Sequence, residues 1–418
     1  MSLGRSPAGG QEEPDSRHGG RRRWIRWLVG IAAGLVVLVG ASVVLFVVLT
    51  RNPSPGAFYT PPDDLSAPPG TVLRSESFDS GLPAGARGWR VLYVSADEHD
   101  HPIAVSGLII ARDDPTEGSH PVLAWAHRTT GIARACAPSL TDEPLEGIPD
   151  MSGPLEQGWV VALTDYPGLG TPSPHPYLVG VSEGRAVLDS VRAAHDLDIG
   201  MDLSDEYVVW GHSQGGHAAI FAGQLADEYM PDYELAGVAA LAPATRLQHN
   251  LAAIEGTEAG NLLTILTVEA WSRYYAEITT DILTSAARRP AERIARACLN
   301  QPSRYRIVIV GLTLPDTITA RDVTADAGWT DRLAQNTPDP GGVTAPLFVG
   351  QGLVDDVVNP AVTQAWVSER CAVGVPTEWH TYPGVTHLAI IGPGGDGALA
   401  WTIDRFDGVT SPDRCPAT

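Results

Sequence analysis

Short apolar runs recur along most of the chain and are bounded by glycine, proline or charged residues. The first two runs, residues 89–96 and 103–111, are predicted to form an antiparallel pair of strands. The later runs are continuously apolar rather than alternating, which is typical of strands covered on both faces of a parallel sheet. These runs are residues 121–127, 159–166, 207–212, 237–243 and 346–352, and a further strand is predicted at residues 377–382.

Helical patterns separate these strands at residues 182–196, 214–229 and 360–371. The repeated strand–helix order predicts an α/β fold with a mostly parallel central sheet flanked by helices. Residues 246–331 break this order, since they are rich in helical patterns and include a bulky amphipathic run at residues 262–283. We predict that this insertion forms a helical cap over the carboxyl-terminal edge of the sheet, where such folds bind ligands.

The N-terminal 70 residues have a different pattern. Residues 1–27 are polar and end in the basic, aromatic sequence RRRWIRW, and they are predicted to be a disordered cytoplasmic tail. Residues 28–49 are all apolar, glycine or serine, and a helix of this length crosses a hydrocarbon layer of about 30 Å. The preceding arginines keep that end in the cytoplasm. The Pro-rich residues 50–70 are predicted to be an extended linker that holds the main domain, residues 71–418, off the membrane.

A cleaved signal peptide is the alternative for this apolar segment. The segment is longer than the usual apolar region of about 7–15 residues, and no A-x-A cleavage site follows it. We therefore predict a single-pass membrane protein with residues 50–418 outside the cytoplasm, with a secreted form as the alternative. The four cysteines all follow the segment, and in an oxidising compartment they would form two disulfides, with three pairings possible.

Composition narrows the function. The chain has 418 residues, 44% of them hydrophobic, and a net charge of −21. Nucleic-acid-binding proteins need a clustered basic face, so this class is excluded. All 28 basic residues are arginine, which excludes a Schiff base, a phosphate-binding loop and a Ser-Lys dyad. A serine nucleophile in this chain must therefore use histidine as its base.

The sequence Gly211-His212-Ser213-Gln214-Gly215 matches G-x-S-x-G and lies between a predicted strand and a predicted helix. In that context the serine is exposed at a sharp turn, and the flanking glycines relieve the crowding. The helix that follows directs its free N–H groups and dipole at the site. Ser213 is the predicted nucleophile, and the alternative is an ordinary capping serine in a Gly-rich turn.

The base and the acid follow from chain order, which in hydrolases of this architecture is Ser, then Asp or Glu, then His. Only His249, His380 and His387 come after the helix that follows the nucleophile. His387 lies in a loop beyond the last predicted strand, whereas His380 lies inside that strand. We therefore predict His387 as the base.

The acid should lie in a loop that leaves a late strand. Asp355 stands three residues beyond the apolar run that ends at Gly352, and Asp356 is next to it. Adjacent side chains point apart, so only one of these carboxylates can reach the histidine. Asp355 is the predicted acid because of its position in the turn, and Asp356 is the alternative.

The oxyanion of an ester intermediate needs two donors. One is the backbone N–H of Gln214, directly after the nucleophile, and the other should come from the loop after an early strand. Residues 124–131 supply this loop, and either Arg128 or Thr129 can present its N–H. His127 in the same loop is predicted to orient it rather than to act as a base.

Five segments, AHRTTG…CAPS, LTDYPGLGTPSPHPYL, GHSQGG, GLVDDVV and YPGVTH, resemble the secretory lipase family of α/β hydrolases, over about residues 65–415. The resemblance implies an α/β-hydrolase fold with a helical cap, a Ser213–Asp355–His387 triad and ester lipids as substrates. It also implies the disulfides Cys136–Cys298 and Cys371–Cys415.

One departure from the family concerns the oxyanion loop, where Arg128 stands in place of the usual glycine after the histidine. This leaves the second donor open between Arg128 and Thr129. Asp165 and Tyr166, in the segment most specific to the family, are predicted to line the floor of the pocket or to support this loop.

The sequence thus predicts a membrane-anchored serine carboxylester hydrolase that cleaves acyl esters without a metal or other cofactor. The chain has no H-E-x-x-H ligand pattern. An acyltransferase that passes the acyl group to a cell-envelope acceptor is the second possibility. A non-catalytic lipid-binding protein of the same fold is the third.

Overall fold

The structure is a computed structural model that describes Met1, residues 17–115 and residues 117–416, with the backbone alone for residues 17–23 and 25. It forms two compact units, residues 1–51 and residues 52–418. In the first unit the structure describes one helix, α1, Arg17–Leu49. Its segment Arg26–Leu49 has a mean hydropathy of 2.9 and is long and apolar enough to cross a membrane, a property that a signal sequence shares.

The prediction that residues 1–27 are disordered is wrong for residues 17–27, which belong to α1. Residues 2–16 of that tail lie outside the described residues, but residues 17–27 are helical. Arginine is a good helix former, so the basic flank extends the apolar helix rather than ending it.

The second unit is built on a mixed sheet. Its described strands are β1 Val72–Phe78, β2 Ala86–Ala96, β3 Pro102–Arg112, β4 Ser119–Ala126, β5 Val160–Thr164, β6 Asp202–His212, β7 Glu234–Leu241, β8 Leu347–Gly352 and β9 Thr377–Tyr382. They lie in the order β1-β2-β3-β5-β4-β6-β7-β8-β9. The pairs among β1, β2, β3 and β5 are antiparallel, and all pairs from β5 to β9 are parallel. The predicted mostly parallel sheet is confirmed.

Helices cover both faces of the sheet. Those outside the insertion are α2 Ser152–Glu156, α3 Gly180–Asp196, α4 Gln214–Tyr229, α10 Pro360–Ala372 and α11 Ile391–Phe406. In β4, Val122 and Ala124 belong to the core under α3, α4 and α10, whereas Leu123 and Trp125 belong to the core under α2 and α11. Successive strand residues point to opposite faces, so a strand buried on both sides is apolar throughout.

The insertion between β7 and β8 contains the helices α5 Leu247–Ala253, α6 Glu258–Tyr274, α7 Ser285–Ile294, α8 Arg304–Gly311 and α9 Ala327–Gln335. They share a separate apolar core in which Trp271 and Trp329 stack at 5.3 Å between ring centroids. The amphipathic run at residues 262–283 is not one helix, since α6 ends at Tyr274. The β-branched sequence Ile278-Thr279-Thr280 that follows disfavours helix.

Residues 52–70 of the predicted extended linker belong to the second unit and pack on it. Tyr59 is buried, and its hydroxyl is 2.9 Å from Ser139 Oγ. The Arg74 guanidinium donates to the carbonyl oxygens of Ala57 and Phe58, at 3.0 and 2.6 Å. The aromatic residues among the prolines give this segment apolar area to bury, so it packs on the second unit instead of acting as a spacer.

Two disulfides join distant segments. Cys136–Cys298 links the loop after β4 to the segment between α7 and α8, and Cys371–Cys415 links α10 to the C-terminal segment. These are the pairs that the resemblance implies.

Candidate active site

The sharp turn between β6 and α4 holds Ser213 at φ 60° and ψ −116°, a conformation that a non-glycine residue rarely adopts. The turn is held from both sides, because the Ser213 N–H donates to the Leu241 carbonyl oxygen (2.9 Å) and its own carbonyl accepts from the Ala244 N–H (3.2 Å). A side chain at Gly215 would overlap the backbone of Ala126, and one at Gly211 would overlap Gly215. The glycines of the motif are therefore required by close backbone approach.

The loops that follow β8 and β9 bring the predicted acid and base to this serine. Ser213 Oγ is 2.9 Å from His387 Nε2, and His387 Nδ1 is 2.8 Å from Asp355 Oδ2. All three residues are buried. Asp356 is exposed and makes no hydrogen bond with the described residues, and His380 stacks on Phe348 instead of reaching the site.

The Asp355 carboxylate is held in place by several donors. Its Oδ1 accepts the backbone N–H groups of Val357 and Val358, at 2.9 and 2.8 Å, and its Oδ2 accepts from Gln351 Nε2 at 3.1 Å. These bonds fix the carboxylate beside the imidazole and stabilise its negative charge. The imidazole is therefore held with Nδ1 toward Asp355 and Nε2 toward Ser213 Oγ.

His212 supports the predicted base, His387, from the other side, a role that sequence analysis did not identify. Its Nε2 donates to the His387 carbonyl oxygen at 2.9 Å, and the two rings lie 4.8 Å apart. Burial, then the nearby His387 and Arg128, lower the pKa of His212 well below its usual range. His212 is therefore a neutral donor that positions the His387 loop.

The predicted oxyanion donors lie on two elements. Gln214 is the first residue of α4, so its backbone N–H has no acceptor within the helix. Across from it, the Thr129 hydroxyl is 3.0 Å from the Tyr177 hydroxyl, and the Arg128 guanidinium lies against Gly147.

The other predicted pocket residues lie behind this loop and do not line the cavity beside Ser213. His127 Nδ1 donates to the Arg128 carbonyl oxygen at 2.6 Å, and Tyr166 donates its hydroxyl to the His127 carbonyl oxygen at 3.1 Å. Burial lowers the pKa of His127 to about 4, so this ring is neutral. Asp165 is buried and accepts from the Ser106 hydroxyl at 2.6 Å and the Ser139 N–H at 2.9 Å. His127, Tyr166 and Asp165 therefore support the predicted oxyanion loop and do not contact the cavity.

A cavity lined mainly by apolar side chains opens beside Ser213. The cap supplies much of its wall, from α5, α6 and α9. Its lining residues are Tyr177, Leu178, Ser213, Gln214, Ala244, Leu247, Asn250, Leu251, Ile254, Leu263, Thr267, Leu333, Val357 and Val358.

Glu183 of α3 is a buried acid that sequence reasoning missed. Its Oε1 accepts from Gln214 Nε2 at 2.6 Å and from the Leu178 N–H at 3.1 Å, and its Oε2 is 3.7 Å from His217 Nδ1. Burial raises the pKa of Glu183. Through Leu178, which has a φ of 56°, and Gln214, this carboxyl fixes two residues of the cavity wall.

We expect Glu183→Ala to lower the free energy of unfolding by roughly 2 kcal/mol or more, because it leaves two buried donors without an acceptor. It should also lower kcat for a soluble ester, because Gln214 is no longer held. Glu183→Gln keeps an acceptor oxygen and should retain most of both properties. Denaturant unfolding and steady-state kinetics of the two variants check this, and equal losses in both would contradict it.

His175 is a second buried group beside Gln214. Its Nδ1 donates to the Pro167 carbonyl oxygen at 2.8 Å, and its Nε2 is 3.4 Å from Gln214 Nε2. Burial lowers the pKa of His175 to about 3, from an ordinary value of 6.5. The unfolded chain therefore binds a proton at this residue between pH 6.5 and 3 that the folded chain does not.

This difference contributes stability that is fully present above pH 6.5 and is lost as the pH is lowered toward 3. By pH 4 the contribution of His175 to this loss should reach about 3 kcal/mol. His175→Gln should be less dependent on pH over this range, whereas His249→Gln, at an exposed position, should match the wild type. Urea unfolding at several pH values checks this, and parallel curves for all three proteins would refute it.

Comparison with known proteins agrees with this architecture. A family model described as secretory lipase matches residues 148–413. Lipase 5 of Candida albicans is 23% identical over 416 residues, covering 91% of this chain and 87% of its own. A probable inactive lipase of Mycobacterium tuberculosis is 24% identical over 385 residues, covering 87% of this chain and 84% of its own.

Among solved structures, Candida antarctica lipase A in its closed state superimposes with a TM-score of 0.73 at 21% identity, over 88% of this chain and 90% of that one. The likeness confirms the α/β-hydrolase fold. Together with the family match, it establishes what kind of protein this is: the chain belongs to the secretory lipase family and is a carboxylic ester hydrolase.

Proposed function

We propose that the chain cleaves acyl esters of lipids, such as triacylglycerols, through an acyl-enzyme formed on Ser213. The observation that carries the proposal is the continuous hydrogen-bonded line from Asp355 through His387 to Ser213, which ends at a cavity with a mainly apolar lining. An acyl chain suits such a lining, since small-molecule sites bury the apolar parts of their ligands.

In the proposed mechanism, Ser213 Oγ attacks the ester carbonyl carbon while His387 Nε2 takes its proton. The Asp355 carboxylate stabilises the imidazolium, and the Gln214 N–H, with a second donor from Arg128 or Thr129, binds the oxyanion. His387 then gives the proton to the leaving alcohol. Water, activated by the same imidazole, attacks the acyl-enzyme and releases the carboxylic acid and free Ser213.

Active-site labelling with a fluorophosphonate probe tests whether this serine is reactive. The wild-type chain should be labelled and Ser213→Ala should not. An unlabelled wild-type chain would overturn the proposal and leave a non-catalytic lipid-binding protein. This control is necessary because one relative is named a probable inactive lipase.

The substrate class needs a separate measurement. We expect higher rates on p-nitrophenyl esters with longer acyl chains, and activity on emulsified triacylglycerol. The reason is that the cavity is lined by uncharged, mainly apolar residues, which favour a long acyl chain. Adding alcohols distinguishes hydrolysis from acyl transfer. Ester products in excess of free acid would favour the acyltransferase alternative.

We also propose that α1 is retained as a membrane anchor, with its N-terminus in the cytoplasm and the second unit outside. The secretory family supports export, and two disulfides suit an oxidising compartment. The 24-residue span of α1 is long for the apolar part of a cleaved signal. Intact mass of the mature protein and its retention in carbonate-washed membranes test this, and a mature N-terminus beyond residue 49 would overturn it.

A further inference from the structure

The outer face of α8 is an exposed apolar stripe. Tyr305, Val308, Ile309 and Leu312 are 53%, 63%, 50% and 84% exposed. They are spaced i, i+3, i+4 and i+7, which places them on one side of the helix, while Ile307 faces the core of the cap. Contiguous apolar side chains at a surface mark a place of contact with another apolar body.

The surroundings of this stripe are basic in an otherwise acidic chain. Residues 285–312 contain six arginines and one glutamate, a net charge of +5, against −21 for the whole chain. The exposed Arg289, Arg293, Arg296 and Arg304 form no ion pair with the described residues. Uncompensated arginines beside an apolar stripe suit a surface that is apolar inside and anionic outside.

The second unit begins beside this corner of the cap. The Asn52 side chain donates from Nδ2 to the Arg296 carbonyl oxygen at 2.6 Å. Asn52 is the third residue after Leu49, where α1 ends. The chain that follows the apolar helix therefore enters the second unit at the segment between α7 and α8.

We propose that α8 docks on the lipid bilayer that holds α1, with Tyr305, Val308, Ile309 and Leu312 inserted at the headgroup level and the neighbouring arginines on anionic headgroups. This docking surface rests on the membrane anchoring proposed above. A bilayer is the occupant because its apolar interior and anionic headgroups complement the apolar stripe and the arginines beside it. A tyrosine next to aliphatic side chains is also typical of the membrane–water interface. The catalytic unit then lies on the surface that carries lipid esters, with its cap toward the membrane.

Photo-crosslinking in the full-length chain tests the contact without relying on catalysis. p-Benzoylphenylalanine is introduced at Val308, or at Val373 as the matched control, since the two valines are 63% and 59% exposed on different helical regions. The proteins are irradiated in nanodiscs of phosphatidylcholine and phosphatidylglycerol. We expect phospholipid adducts at position 308 and none at position 373. No lipid adduct at 308, equal adducts at both positions, or adducts only to a second copy of the chain would overturn the proposal.

An activity measurement gives the functional consequence. The double variant Ile309→Glu/Leu312→Glu should hydrolyse a long-chain ester in the same bilayer roughly tenfold more slowly, because it no longer inserts. Its rate on a soluble short-chain ester should stay within about twofold of wild type, which also shows that it folds. An equal rate on the bilayer ester would contradict docking. If the wild type itself does not hydrolyse the soluble short-chain ester, the proposed function, rather than the docking surface, is contradicted.

Discussion

Ser213→Ala should reduce kcat/KM for a soluble p-nitrophenyl ester by roughly 10⁴- to 10⁶-fold while leaving the fold intact. Alanine removes the hydroxyl that is proposed to form the acyl-enzyme. It keeps the backbone that holds the turn, because the bonds of residue 213 to Leu241 and Ala244 involve main-chain atoms alone. Initial rates of the purified variant, with circular dichroism and thermal unfolding, check both parts.

The matched control is Ser368→Ala, an exposed serine on α10 whose loss should leave the rate unchanged. His387→Ala should be as inactive as Ser213→Ala, and the double variant no worse than either, because the residues act as one unit. A Ser213→Ala enzyme that keeps a tenth of the activity would require another nucleophile.

Asp355→Asn should lower kcat by roughly 10²- to 10⁴-fold, whereas Asp356→Asn should change it by less than about twofold. An amide at position 355 cannot stabilise an imidazolium, and its N–H₂ group favours the wrong tautomer of His387. The neighbouring carboxylate is exposed and cannot replace it without breaking the two backbone bonds that hold Asp355. Steady-state kinetics of the two variants, which differ from wild type by the same chemical change, give the comparison.

Equal losses in the two variants would mean that either carboxylate can act as the acid of the triad. A larger loss for Asp356→Asn would identify Asp356 as that acid. The result therefore decides the alternative that chain order alone left open.

The sheet could be predicted from the sequence because its central strands are buried on both faces. Residues 122–126 of β4 and 207–210 of β6 are buried and apolar toward both faces of the sheet, so a short window identifies each strand. Strand β1 was missed for the opposite reason. It lies at the edge, pairs only with β2, and has four consecutive exposed residues, so its sequence resembles a loop.

The candidate triad could be predicted because chain order and the absence of lysine left few residues for each role. Two supports of the site, Glu183 and His212, could not. Glu183 meets Gln214 across 31 positions, and His212 meets the His387 loop across 175. Such pairs depend on how α3, α4 and the loop after β9 pack together, and a local sequence pattern cannot predict this packing. The packed segment at residues 50–70 was missed because proline content outweighed a single burial-prone tyrosine, Tyr59.

The Cys136–Cys298 bridge has a topological consequence. It closes a covalent ring with a sequence separation of 162 residues, and this ring contains Ser213 but neither Asp355 nor His387. A single cut inside the ring, for example after the exposed Arg293, divides the chain between the proposed nucleophile and base yet releases neither piece. A nicked molecule in an oxidising environment would thus be a two-chain protein whose halves each carry part of the proposed triad and remain tied together.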